Sequence, residues 1–398
     1  MNRLCSILVI LTILFGLVGC GAGDSKDNLL FEADGIGDSD FAPEAGGSHI
    51  TPSAGTLTAG EWKDVENMDF WKKLLNRNDW YQLMETRNLY ANDIIPVFVH
   101  DADGSPCYNV EVKLVRDTET VYAARTDVNG KAWLLRNLSK TQDSEHVSKV
   151  AVGEQSFDIP SEGVLDVDVH DAGIAVEALD LMFMIDTTGS MSDELSYLQK
   201  ELEYVIERVA DAGKTLSINV SVNFYRDEED EYIVRAFEFT SDIQKAIAHL
   251  NAQRADGGGD YPEAVHKALE NAVKEHQWRS DAVKLMFFVL DAPPHDENKV
   301  QGIDAQMTDT VKLASEKGIR IIPLASSGIN TETEFLLRSW AVMTGGTYTF
   351  LTNHSGVGND HLEPTVGEYQ VEKLNECMIR IICEYCGLSY VSSNNHPQ

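Results

Sequence analysis

Basic residues are scarce. The 398 residues carry 32 Lys and Arg against 64 Asp and Glu, a formal net charge of −32. A field of that sign repels phosphate backbones, so nucleic acid is excluded as a partner. Peripheral attachment to an anionic membrane surface is disfavoured for the same reason. Cysteine is also sparse, with 6 in the chain, which excludes a small disulfide-held scaffold and leaves no structural zinc spacing. Long apolar runs are missing too. The longest, Ile7 to Val18, falls short of the roughly 20 residues that a spanning helix needs. There is no Walker loop, no Gly-x-Ser-x-Gly elbow, no His-Glu-x-x-His, and no Gly-x-Gly-x-x-Gly after a strand. The usual nucleotide, serine-hydrolase, zinc-protease and dinucleotide readings therefore lack their residues.

What is present begins with a basic start at Arg3, the short apolar run, and Leu17-Val18-Gly19-Cys20. That order reads as a signal peptide over residues 1–19. The tetrad resembles the lipoprotein box of bacterial lipoproteins. The resemblance implies cleavage before Cys20, lipidation of Cys20, and membrane attachment through the lipid. Residue 21 is Gly, so the family's inner-membrane retention signal is absent and the outer membrane or cell surface is the expected location. Residues 20–60 are rich in Gly and acids, with Lys26 the lone lysine. Such a composition cannot offset chain entropy by burial and is expected to be a disordered tether.

Three folded segments follow. Residues 61–92 space Trp62, Phe70, Trp71, Leu74, Leu75, Trp80 and Met84 mostly three or four apart, which predicts a helical segment with an aromatic packing patch. Residues 93–172 change to a period of two, with turn signals at Asp103-Gly104 and Asn129-Gly130; a small β-sandwich is expected. The stretch from Val97 to Leu134 resembles the carboxypeptidase-regulatory-like, transthyretin-like spacer modules of bacterial surface proteins, which implies a spacer without chemistry of its own. Residues 176–355 alternate nearly continuous apolar runs (Ala178–Ile185, Lys284–Leu290, Ile319–Leu324) with amphipathic stripes. That pattern predicts an α/β fold, a mostly parallel sheet with helices on both faces. Leu216–Phe224 and Tyr232–Phe239 read as an antiparallel hairpin at the sheet edge, with Arg226–Glu231 as its solvated tip. Residues 356–398 form a C-terminal segment with a helix over Val371–Tyr385, and Cys107, Cys377, Cys383 and Cys386 are expected as buried thiols or one bridge.

Ligands of open α/β sheets gather at the carboxyl ends of the strands. There the sequence places Asp186-Thr187-Thr188-Gly189-Ser190, Gly257-Gly258-Gly259-Asp260-Tyr261-Pro262-Glu263, and Asp291-Ala292-Pro293-Pro294-His295. Asp186, Thr188, Ser190, Asp260 and Asp291 are hard oxygen donors suited to Mg²⁺, Ca²⁺ or Mn²⁺. His295 reads as a loop histidine satisfied by backbone. Asp-x-Thr-Gly-Ser resembles the Asp-x-Ser-x-Ser signature of von Willebrand factor type A domains, and the other two loops resemble later loops of one branch of that family. The resemblance implies a Rossmann-like domain with one antiparallel edge strand and a metal-ion-dependent adhesion site, Mg²⁺ being the foremost ion. Thr188 and Ser190 would touch the ion, with Asp186 and Asp291 acting directly or through water. Asp260 stands where many members offer threonine. A third carboxylate makes the site net negative, unless Asp260 lies outside the ion's immediate ligands.

The resulting expectation is a lipid-anchored extracytoplasmic binding protein of the cell envelope, without enzymatic activity. It would engage an extracellular or envelope protein, or a glycan, through an acidic ligand residue. The alternatives are a metal-free scaffold of an envelope complex and a Mg²⁺-dependent phosphohydrolase.

Overall fold

The computed structural model describes residues 57–140, 149–161, 163–169, 175–355 and 362–390. The expected signal peptide, Cys20 and nearly all of the expected tether lie outside the described residues. The chain enters as strand β1 (Thr58–Trp62), then helices α1 (Met68–Leu75) and α2 (Asn78–Arg87). β1 corrects the expected boundary at residue 60. Its first residues pair antiparallel with Tyr348–Leu351, so they are part of a sheet and not of the tether.

Seven strands follow: β2 (Asp93–Asp101), β3 (Glu111–Arg116), β4 (Glu119–Arg125), β5 (Lys131–Arg136), β6 (Lys149–Val152), β7 (Gln155–Asp158) and β8 (Leu165–Val169). They form two sheets, ordered β5-β2-β8 and β4-β3-β6-β7. Alternate residues from both, among them Val97, Val99, Leu134, Val112, Leu114 and Val150, are buried in common. Both turn signals form turns, with Gly104 at φ 79° and Gly130 at φ 71°. Neither closes a hairpin of neighbouring long strands. Each lies on a connection that crosses from one sheet to the other, and the true hairpins join β3 to β4 and β6 to β7.

The larger sheet is built from β9 (Ala178–Asp186), β10 (Ser217–Tyr225), β11 (Val234–Arg235), β12 (Val283–Leu290), β13 (Ile319–Ala325), β14 (Tyr348–Leu351) and β15 (Glu372–Lys373). With β1 it makes eight strands ordered β11-β10-β9-β12-β13-β14-β1-β15. The pairings from β10 to β14 are parallel. β9, β12 and β13 are buried at every position, as strands covered on both faces must be. The intervening helices are α3 (Ser192–Ala212), α4 (Ile243–Asn251), α5 (Val265–Glu270, continued as a π turn through Glu275), α6 (Ile303–Lys317), α7 (Thr331–Thr344) and α8 (Leu374–Tyr385).

Successive side chains of a strand point to opposite faces, and β9 shows the consequence. Leu179, Leu181, Phe183 and Ile185 pack with α3, α4 and α8. Met182 and Met184 pack with α5, α6 and α7. The expected antiparallel edge is present, as β11 pairs with the end of β10. The opposite edge is antiparallel as well, through β1 and β15. That edge was not expected, because its strands come from outside the alternating segment. The aromatic patch packs on this domain too. Trp80 meets Trp71 at 6.0 Å and Phe335 of α7 at 5.9 Å, both edge to face.

The four cysteines among the described residues are buried, and no disulfide joins any two of them. No helix of the described residues is long and apolar enough to cross a membrane.

Candidate functional site

Parallel register brings the carboxyl ends of β9, β10 and β12 level, with Asp186 opposite Tyr225 and Ile185 opposite Val289. Asp186 is the last residue of β9 and is fully buried. Its Oδ1 accepts from the Thr188 N–H at 2.8 Å and from Thr188 Oγ1 at 2.7 Å. This turn aims Thr188 and Ser190 at one point, their hydroxyls 3.4 Å apart. Asp186 Oδ2 is left buried without a partner. Asp291, just past β12, is in the same state at Oδ1. A cleft of about 340 Å³ opens here, lined by Thr188, Ser190, Asp260, Glu263, Asp291 and Ser327 among others.

Of the residues singled out from sequence, Thr188, Ser190 and Asp291 line this cleft, and Asp186 is buried behind Thr188, which donates to it. Asp260 lines it but is exposed. The carboxylate that the structure buries beside Asp186 and Asp291 is Glu263, 3% exposed, with Oε2 unpartnered. Glu263 belongs to the Gly257–Glu263 sequence motif but not to the donor set expected from it. Its position comes from a contact between loops: the Glu263 N–H donates to Pro293 O at 3.0 Å. Pro262, expected in the first turn of the following helix, lies ahead of it instead, since α5 begins at Val265 with Ala264 as its N-cap, and no local signal marks Glu263 for burial.

Two further expectations are corrected. The Arg226–Glu231 turn is a solvated tip only in part, at Glu229 and Glu231. Arg226 and Asp227 are buried, and the Asp230 carboxylate accepts from the Gly258 N–H at 3.0 Å and from the Asp227 N–H at 3.1 Å. The turn thus braces the glycine loop that walls the cleft. The His295 ring is not satisfied by backbone either. Its Nε2 lies 2.6 Å from Asp227 Oδ1, while its carbonyl oxygen accepts from Arg87 Nη1 at 3.0 Å.

The electrostatics are those of crowded, dry carboxylates. Burial, with the charge of Asp291 second, pushes the Asp186 carboxyl up to about 7. Burial raises Asp291, with the Ser190 hydroxyl pulling the other way. Glu263 is pushed up to about 9, by burial first and then by Asp186, Asp227, Asp230 and Asp291. Among the described residues, no Lys or Arg lines the cleft. The oxygen donors and the orphaned carboxylate atoms fit a hard divalent cation. Among the described residues, no group of three His, Cys, Asp or Glu side chains is arranged to hold a metal ion. A cation here therefore depends on hydroxyl and water oxygens beside the carboxylates.

The α/β sheet with this rim of oxygens defines the class of the domain. Residues 180–356 match the family described as von Willebrand factor A domain, and such a domain is found there. Domains of this kind generally mediate protein–protein interaction. The chain is 31% identical over 142 residues to a putative ariadne-like RING finger protein of Acanthamoeba polyphaga mimivirus, covering 35% of this chain and 13% of that one. It is 26% identical over 122 residues to the alpha-protein kinase vwkA of Dictyostelium discoideum, covering 30% and 19%. The chain thus spans less than a fifth of either curated relative. A crystal structure of the conserved hypothetical protein BatB from Bacteroides thetaiotaomicron aligns over 52% of this chain and 99% of its own, at 15% identity and a TM-score of 0.35.

Proposed function

We propose that the protein is a lipid-anchored, extracytoplasmic binding protein of the cell envelope that engages a protein or glycan partner through a divalent cation, and that it is not an enzyme. Cys20 would carry the lipid. Asp186, Thr188, Ser190 and Asp291 would hold the ion, Mg²⁺ first and Ca²⁺ or Mn²⁺ as alternatives. Glu263 stands behind them and Asp260 at the mouth. When bound, the ion supplies a Lewis-acidic centre able to accept a partner's carboxylate. The chain's own residues do the rest. Thr188 orients Asp186, Glu194 holds Ser327 at the cleft by accepting from its N–H at 3.2 Å and from its hydroxyl, and the Asp230 brace holds the glycine wall.

The observation that carries this reading is the set of buried, unpartnered oxygens on Asp186, Glu263 and Asp291, beside a cleft that no Lys or Arg lines among the described residues. Calorimetric titration of the full chain with Mg²⁺, Ca²⁺ and Mn²⁺ tests it. One ion should bind, Asp186→Ala should abolish binding, and Ser190→Ala should weaken it. Asp260→Ala, at an exposed position, should change affinity less than Glu263→Gln. Unchanged ion binding in Asp186→Ala would rule the site out.

A further inference from the structure

Another cavity lies elsewhere, where the β-sandwich meets the connection into β12. It holds about 510 Å³ and is lined by Arg125, Lys274, Lys284, Lys317, Trp278 and Asp281, among others. We propose that this cavity binds a small organic anion, a carboxylate or phosphate that carries a flat apolar group.

Charge is the first argument. In a chain with twice as many acids as bases, this wall gathers four cations against one lining acid, Asp281. Their partners are the second. Lys274 pairs with Glu270 at 3.0 Å. Arg125 has a carboxylate, Glu111, only at 4.0 Å, and donates instead to the carbonyl oxygens of Asn109 and Glu316. Lys317 Nζ donates to Val273 O at 2.7 Å. Lys284 Nζ donates to the carbonyl oxygens of Ser280 and Ala282, at 3.3 and 3.2 Å. Lys284 is 4% exposed. Among the described residues, neither Lys284 nor Lys317 has a carboxylate within bridging distance.

Burying an ammonium against neutral acceptors alone is costly, and an anion relieves that cost. At Lys284 burial first and the charge of Arg125 next lower the ammonium to about 8, with Asp180 and Asp281 pulling the other way from beyond bridging distance. Shape is the third argument. The volume falls within the roughly 300–1,000 Å³ typical of small-molecule sites, and Trp278 adds an aromatic surface to the cationic wall. That pairing selects an anion with a flat body over a bare inorganic ion.

The test is calorimetric titration of the full chain at low ionic strength with a chelator present, which silences any cation site. The probes are phenyl phosphate, benzoate, inorganic phosphate and neutral benzyl alcohol. Phenyl phosphate and benzoate should bind one to one, phenyl phosphate more tightly than inorganic phosphate, and benzyl alcohol should not bind. Lys284→Met and Lys317→Gln should each raise the phenyl phosphate Kd tenfold or more, about 1.4 kcal/mol. Lys284→Met replaces a buried charge with an apolar chain and should fold; Lys317→Gln keeps a donor and carries the test if it does not. The proposal is overturned if no anion binds, if benzyl alcohol binds as well, if phenyl phosphate is no tighter than inorganic phosphate, or if both lysine variants bind unchanged.

Discussion

His295 Nε2 and Asp227 Oδ1 lie 2.6 Å apart, both side chains buried, and this contact ties the loop after β12 to the loop after β10. The two loops flank the strand end that carries Asp186. The pair therefore sets the spacing of the rim, and Arg87 fastens it from outside through the carbonyl oxygens of Pro294 and His295. His295→Ala leaves Asp227 buried without its partner and should cost about 3 kcal/mol. The double variant with Asp227→Ala should cost less than the sum of the two single changes. Urea denaturation of all four proteins measures the coupling, and strict additivity would show that the contact contributes nothing.

Arg338 pins the N-terminal segment to α7. It is fully buried and grips Asp64 with two bonds, at 2.8 and 2.6 Å, and Glu334 with one at 3.1 Å. Arg338→Met strands two buried carboxylates and should cost roughly 3–5 kcal/mol in a denaturant titration. Arg338→Lys should recover only part, since an ammonium cannot make the two-pronged bond.

His266 is expected to make folding acid-sensitive, although Glu228 Oε1 lies 3.5 Å from its Nε2 and favours the protonated ring. Its ring is 1% exposed, and burial, ahead of the charge of Lys267, lowers its pKa to about 4. The unfolded chain binds that proton near the usual 6.5. Between those values the unfolded state holds more protons, so stability falls as pH drops from about 6.5 toward 4, by on the order of 3 kcal/mol. His266→Gln should flatten that part of the stability-against-pH curve. A slope identical to the parent's would refute the assignment to His266.

Gly257 has φ +80°, and a Cβ there would sit 2.3 Å from Asp230 Oδ1. Gly257→Ala combines a left-handed backbone cost of about 1–2 kcal/mol with displacement of the Asp230 brace, and should lower the melting temperature. Gly259→Ala is the matched control. Its φ is not positive and nothing lies within 4 Å of its added carbon, so its melting temperature should stay close to the parent's.

If the proposed lipid anchor holds, Cys20→Ser should abolish fatty-acid incorporation and leave the precursor uncleaved, because it removes the thiol of the Leu-Val-Gly-Cys tetrad. Metabolic labelling with a fatty acid reads this out directly. Label retained in the variant would remove the lipid anchor from the proposed function.

The amino-acid sequence by itself determined the α/β character, because strands covered on both faces are apolar nearly throughout, and Ala178–Ile185, Lys284–Leu290 and Ile319–Leu324 are, Asp180, Lys284 and Arg320 being the charged exceptions. It also marked Asp186, Thr188, Ser190 and Asp291, since a strand end and the few residues after it are local and their side chains are placed by backbone geometry alone. Tertiary structure decided the rest. β1 joins β14 across nearly three hundred residues of chain, and nothing in Thr58–Trp62 specifies that partner. Glu263 became a wall of the cleft, and the Asp227–Asp230 turn the brace of its glycine loop, only when loops from different strands met, Glu263 against Pro293 and Asp230 against Gly258. The basic cavity arises the same way, from cations far apart in sequence. A residue's burial depends on what packs over it, and for polar side chains in loops no periodicity records that cover.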